Sequence, residues 1–126
     1  MDFFNVLKER HSVRLFQERP VEVEKIQTIL EAINGAPSAG NLQAYEVYLV
    51  RQVQRRAELV RASGDQEFLA QAPIVLVFCT HAALSEVRYG QRGVHLYTLQ
   101  DASIACTYAM LAIEDLGLST VWVGAL

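Results

Sequence analysis

An α+β domain is the fold class that the sequence predicts, and three stretches carry that reading. Ile74-Val75-Leu76-Val77-Phe78 is an uninterrupted apolar run, rich in β-branched residues and too short for most helices, which predicts a strand covered on both faces. Glu46 to Val50 predicts a second strand, because Tyr45, Val47 and Leu49 alternate with Glu46 and Tyr48. Arg92 to Leu116 holds the longest helical pattern, with Leu96, Leu99, Ser103, Cys106, Met110 and Ile113 along one side. At 126 residues the chain is a single domain, 1–126. It is long enough to bury roughly two-thirds of its unfolded surface in one core.

The remaining elements follow in order. Asp2 caps a short first helix, since its carboxylate accepts from the free N–H groups of the first turn; Phe3 and Leu7 share a face, and the helix ends near Arg10. Val13, Leu15 and Phe16 predict an extended segment running to Pro20. Glu22 and Glu24 then complement a helix N-terminus, while Val23, Ile26, Leu30 and Ile33 repeat at helical spacing up to a stop at Asn34-Gly35. After the first strand, Val53, Ala57 and Val60 mark an amphipathic helix whose outer face carries Arg51, Arg55, Arg56 and Arg61, read as solvated; Gly64 to Phe68 breaks it. The uncharged centre of the long helix, Ala102 to Ile113, is twelve residues. That is too short for a bilayer, which needs about twenty. A helix so apolar on nearly every side is buried all round, and a second copy of the chain is one way to cover it. Leu116-Gly117-Leu118 ends it, and Ser119 to Leu126 predicts a last strand.

Composition excludes several classes of function. With 52% apolar and 20% charged residues the chain is globular, and its net charge of −3 argues against a nucleic-acid binder, which needs a basic footprint. Cys79 and Cys106 lie in apolar runs and suggest no disulfide framework. His11, His81 and His95 share no ligand spacing, so no metal site is expected. The start, Met1-Asp2-Phe3-Phe4, lacks the basic and apolar regions of a signal peptide, and a cytoplasmic protein is expected.

Two stretches carry chemistry. Arg10-His11-Ser12-Val13-Arg14 places two guanidinium groups and a hydroxyl together just where the first helix stops. A guanidinium fork matches phosphate or carboxylate oxygens in pairs, so the stretch reads as an anion cradle. Ala36-Pro37-Ser38-Ala39-Gly40-Asn41-Leu42-Gln43 combines small residues, which let the backbone approach a flat ligand, with Ser38, Asn41 and Gln43, which both donate and accept hydrogen bonds. Such chemistry suits the edge of a heterocycle. Taken alone, each stretch reads first as an ordinary solvated turn or interhelix loop, the commoner outcome for such residues.

Together, at this spacing, they resemble the FMN-dependent nitroreductase-like flavoproteins. That family carries an Arg-x-Ser-x-Arg/Lys motif followed, after one helix, by a Pro-Ser-x-x-Asn-x-Gln loop; here these are Arg10, Ser12 and Arg14, then Pro37, Ser38, Asn41 and Gln43. The chain departs from the pattern at Ala44-Tyr45, where the family commonly has Pro-Trp. The resemblance implies a central mixed β-sheet flanked by helices, with the long helix at the centre of a homodimer and FMN at the subunit interface. It implies that Arg10 and Ser12, with His11 between them, hold the FMN phosphate, and that Arg14 faces the N1/O2 edge of the ring. A fixed cation there stabilises the reduced flavin more than the oxidised one. Pro37, Ser38, Ala39, Asn41 and Gln43 would reach the flavin of the other subunit, Gln66 its pyrimidine edge, and the backbone of Val123-Gly124-Ala125 its N5. The implied activity is hydride transfer from NAD(P)H through FMN to a nitroaromatic, quinone or similar small-molecule acceptor, with no side chain acting as nucleophile or base. The alternative is a dimer that holds a flavin or nucleotide without turnover. The family pattern continues past Leu126, so the chain is expected to lack its C-terminal portion.

Overall fold

The computed structural model describes all residues, 1–126, and contains six α-helices and two strands. Helix α1 (Phe3–Glu9) starts as expected: Asp2 Oδ1 accepts the Asn5 N–H at 3.1 Å. Its inward residue is Val6, however, while Phe3, Phe4 and Leu7 face solvent. Helix α2 (Val23–Asn34) is preceded by Glu22, whose carboxyl is held below the usual carboxylate range by its own backbone N–H and then by the Lys25 ammonium. The buried face of α2 is Ile26, Ile29 and Ile33 rather than one including Val23 and Leu30, both of which are exposed. Gly35 ends α2 at φ −84°, so this stop uses no left-handed residue.

Strands β1 (Tyr45–Val50) and β2 (Val75–Thr80) pair antiparallel, with Tyr45 opposite Thr80 and Val50 opposite Val75. The sheet is therefore not mixed within this chain; the parallel element is one isolated bridge, Ser12 to Thr120, where the Val13 N–H donates to the Thr120 carbonyl at 2.9 Å. That bridge is all that forms of the extended segment expected after Arg10 and of the strand expected over Ser119–Leu126. Neither segment finds a full ladder partner, and a strand exists only with one. Residues Val75 to Cys79 are half-buried on both faces of β2, so neither face is fully covered.

Between the strands lie α3 (Val53–Ala62) and the short α4 (Phe68–Gln71). Of the four arginines read as solvated, Arg56 is not: its Nη1 donates to the carbonyls of Ala70 and Ala72 at 2.7 and 2.6 Å, tying α3 to α4. Helix α5 (Ala82–Arg92), absent from the sequence reading, follows β2 and passes through a π-helical turn (Gly93–Tyr97) into α6 (Thr98–Asp115). The long helix ends as expected, with Gly117 at φ +78°, its N–H on the Glu114 carbonyl at 3.0 Å and the Leu118 N–H on the Ile113 carbonyl at 3.1 Å.

The core forms where α2 crosses α6: Ile29, Ile33 and Ala36 meet Ala105, Ala109 and Ile113, flanked by Tyr45, Val47, Leu76 and Phe78 of the sheet. The buried face of α6 is Thr98, Asp101, Ala102, Ala105, Ala109 and Ile113, not the bulkier stripe through Leu99, Cys106 and Met110. Small residues win this face because they let two helix backbones approach closely. Burial all round does not occur within one chain: Leu99 is 58% exposed and Tyr108 40%. An open apolar trough of about 640 Å³, lined in part by Phe16, Ile26, Phe78, Cys106, Met110 and Trp122, runs between the sheet and the helices. No helix is long and apolar enough to cross a membrane.

Candidate functional site

The end of α1 sets the first half of the site. Arg10 is its C-cap residue, with its backbone N–H on the Val6 carbonyl at 3.0 Å. Its Nη1 is buried and has no hydrogen-bond partner. A buried guanidinium nitrogen without an acceptor carries a desolvation cost that an anion would remove. His11 is exposed and turned back on its own turn, its Nδ1–H donating to the Glu9 carbonyl at 2.9 Å. That geometry leaves Nε2 as its free ring nitrogen. Ser12 and Arg14 are exposed, and Arg14 enters no ion pair.

The Ser12–Thr120 bridge lays this stretch beside the C-terminal segment. Val123 is half-buried, Gly124 and Ala125 are exposed, and the only backbone bond there runs from the Leu126 N–H to the Gly124 carbonyl at 3.2 Å. The N–H groups of Val123, Gly124 and Ala125 are thus free to donate.

The second half is the loop between α2 and β1, which folds through a 3₁₀ turn (Ala39–Asn41). Three of its residues are left-handed: Gly40 at φ +60°, Asn41 at +56° and Gln43 at +49°. Gly and Asn tolerate that region; Gln does so only when held. Gln43 is held at both ends. Its backbone N–H donates to Ser38 Oγ at 2.9 Å, and its side-chain Nε2 donates to the Asn34 carbonyl and Oδ1 at 3.2 and 3.0 Å. The Asn41 side chain is exposed, and Ser38 keeps its hydroxyl proton to donate. Pro37 is exposed and precedes the turn. At the departure from the family pattern, Ala44 is fully buried and Tyr45 turns its hydroxyl onto the Ile33 carbonyl at 3.3 Å.

No hydrogen bond or ion pair joins the Arg10–Arg14 stretch to this loop; each is anchored on its own elements. Gln66 lies past the end of α3, where its Nε2 donates to the Ser63 carbonyl at 2.9 Å and its Oε1 remains free. Two features around the loop escaped the sequence reading. Asp101 on α6 accepts the Ala39 N–H at 3.0 Å, and on α5 the hydroxyl of Tyr89 and the guanidinium of Arg88 stand over Gly40, where a Cβ would lie 2.5 and 3.0 Å from them. Arg88 stacks on Tyr89, which meets Tyr97 edge to face at 5.0 Å. A lone carboxylate at the edge of the uncharged centre of the long helix was the available signal for Asp101; for α5 it was the amphipathic pattern over Ala82–Arg92, although its one buried residue is Ser85.

Comparison with known proteins bears on this geometry. The family model described as Nitroreductase family matches residues 7–66 and 52–126. An FMN reductase (NAD(P)H) of Bacillus subtilis (strain 168) is 34% identical over 131 residues, covering 94% of this chain and 52% of that protein. An NADPH-flavin oxidoreductase of Vibrio harveyi is 32% identical over 120 residues, covering 91% of this chain and 50% of that protein. Among solved structures, B. megaterium NfrA2 superposes with a TM-score of 0.90 at 25% identity, over 99% of this chain and 55% of that one. The Vibrio harveyi NADPH:FMN oxidoreductase complexed with NAD+ gives 0.88 at 27% identity, over 98% of this chain and 55% of that one. The chain spans about half the length of these relatives.

Proposed function

Because this chain belongs to the nitroreductase family, we propose that it holds FMN and serves hydride transfer from NAD(P)H to a small oxidised acceptor such as a nitroaromatic or a quinone. The observation that carries the reading is the buried, unpartnered Nη1 of Arg10 at the end of α1. A phosphate dianion supplies the acceptors that this nitrogen lacks, and the exposed Ser12 and His11 follow it in the chain with a hydroxyl and a ring nitrogen to offer. The residues present therefore fit a flavin mononucleotide. When bound, FMN supplies the hydride-accepting and hydride-donating chemistry.

The chain's own residues bind and orient. Arg14, with no carboxylate partner, is suited to face the pyrimidine edge, where a fixed cation favours the reduced ring. The free N–H groups of Gly124 and Ala125 are suited to the central ring. Ser38 presents its hydroxyl proton, Asn41 its amide and Gln43 its Oε1 on a loop tied by its own hydrogen bonds, and we assign them to the flavin of a second subunit in a homodimer. Gln66 contributes its free Oε1. We place the protein in the cytoplasm.

The visible absorption spectrum of purified protein, before and after addition of FMN, tests cofactor binding directly. Arg10→Ala removes a charge-assisted contact, so FMN affinity is expected to fall roughly tenfold to a hundredfold. Parent-like affinity in that variant would show that Arg10 holds no phosphate. Consumption of NAD(P)H in the presence of a quinone or nitroaromatic separates an enzyme from a module that holds the flavin without turnover.

A further inference from the structure

Asp101 is the most deeply buried ionisable side chain of the molecule, 2% exposed on the packed face of α6. Carboxylates are rarely so buried without a cation, yet none of the ion pairs includes it. Its Oδ1 accepts the Ala39 N–H at 3.0 Å, and its Oδ2 is buried and accepts nothing. As a contribution to stability alone this is a poor arrangement. A half-satisfied buried charge is commonly worse than an apolar side chain of the same volume.

The arrangement has a different logic when seen from the loop. Ala39 opens the 3₁₀ turn, and the first N–H groups of any helical turn lack partners within it. The residue before it, Ser38, accepts the Gln43 N–H with its hydroxyl, and a capping side chain reaches the second or third N–H of a turn rather than that of its immediate neighbour. Asp101 supplies the missing acceptor for Ala39 from a helix 62 residues away. The turn is thereby fixed from one side by α6 and from the other by Tyr89 and Arg88 over Gly40.

We propose that Asp101 is a positioning residue for the flavin loop: by accepting the Ala39 N–H it fixes the backbone from which Ser38, Asn41 and Gln43 reach FMN. The proposal rests on the reading that this loop contacts FMN. Asp101 touches neither cofactor nor substrate and acts through the loop alone.

The test uses the full 126-residue chain and two readouts, amide hydrogen exchange of residues 39–43 without flavin and FMN affinity by titration. Asp101→Ala is expected to speed exchange of the Asn41, Leu42 and Gln43 amides about tenfold and to weaken FMN binding about tenfold, as loss of a hydrogen bond to a charged group would. Asp101→Asn keeps an acceptor oxygen and is expected to stay within about threefold of the parent in both readouts. Ala39→Pro deletes the same bond from its other end; the extended backbone of Ser38 and the first position of a turn both accept proline. Combined with Asp101→Ala it should add less than about twofold, because two changes that remove one bond are not additive.

Parent-like exchange and affinity in Asp101→Ala overturn the proposal, as do equal losses in the Asn and Ala variants or full additivity with Ala39→Pro. Should Asp101→Ala fail to fold, Ala39→Pro alone decides, and parent-like behaviour there overturns it. A parent chain that binds no FMN sinks the underlying reading as well. A parent that binds FMN, with variants of unaltered affinity, sinks this proposal alone.

Discussion

The thiol of Cys106 lies in the apolar trough beside Met110, and burial pushes it up to about 11 from an ordinary 9.0. The folded chain thus holds this proton more tightly than the unfolded chain does. Its contribution to stability is complete below about pH 9 and is lost as the pH rises towards 11. Melting temperatures between pH 8 and 11 should fall more steeply for the parent than for Cys106→Ala, the difference being on the order of 1 kcal/mol after allowance for partial exposure. Parallel curves would show that the thiol ionises as freely as in the unfolded chain. Roles decided by near neighbours were legible at this scale. Asp2 caps α1 because its acceptor and the Asn5 N–H are three residues apart, and Gly117 stops α6 for a similar local reason. Roles decided at a distance were not. Arg51, just before α3, and Arg55, Arg56 and Arg61 along it look alike, and only the return of the chain at Ala70 and Ala72 distinguishes Arg56. Asp101 was missed for the same reason: its partner, Ala39, is on another element.

The existence of α2, the long helix and both strands could be read from periodicity, whereas the faces of the helices could not. Periodicity reports how apolar a stripe is, but packing also weighs size. On α6 the alanines Ala105 and Ala109 sit at 0% and 1% exposure against Ile29 and Ile33, while the larger Leu99 is left outside. Ala105→Leu would drive extra methylenes into that contact, and a loss of about 1–3 kcal/mol or more is expected in urea unfolding. Val87→Ala on α5 should change stability by less than about 0.5 kcal/mol, because that side chain is 91% exposed. Equal effects would mean that α2 does not pack on the alanine face. The loop and the cradle were legible as motifs, but the grip of α5 on Gly40 depends on Arg88 and Tyr89 meeting a loop on another element, which the amphipathic pattern of α5 does not show.

One copy of the chain leaves a great deal of apolar surface uncovered. Only 18 of 126 residues are buried, and Phe3, Phe4 and Leu7 on α1 are 61%, 77% and 47% exposed, with Leu99 on the neighbouring α6 at 58%. Isolated exposed apolar residues need no explanation, but three on one seven-residue helix are suited to cover by a second copy. Sedimentation at micromolar concentration is expected to show a homodimer, and Phe4→Lys to shift it towards monomer. A monodisperse monomer of the parent would remove the second subunit from the proposed site. The bridge between Ser12 and Thr120 has a further consequence, one of chain statistics. It closes a loop of roughly 108 residues, whose length-dependent entropy cost is about 4 kcal/mol, against about 1 kcal/mol for the one hydrogen bond that it makes. The bond cannot hold the two ends together by itself. It depends on the contacts that α1 and α2 make with α6, so the meeting of Arg10–Arg14 with the C-terminal segment is only as stable as that packing.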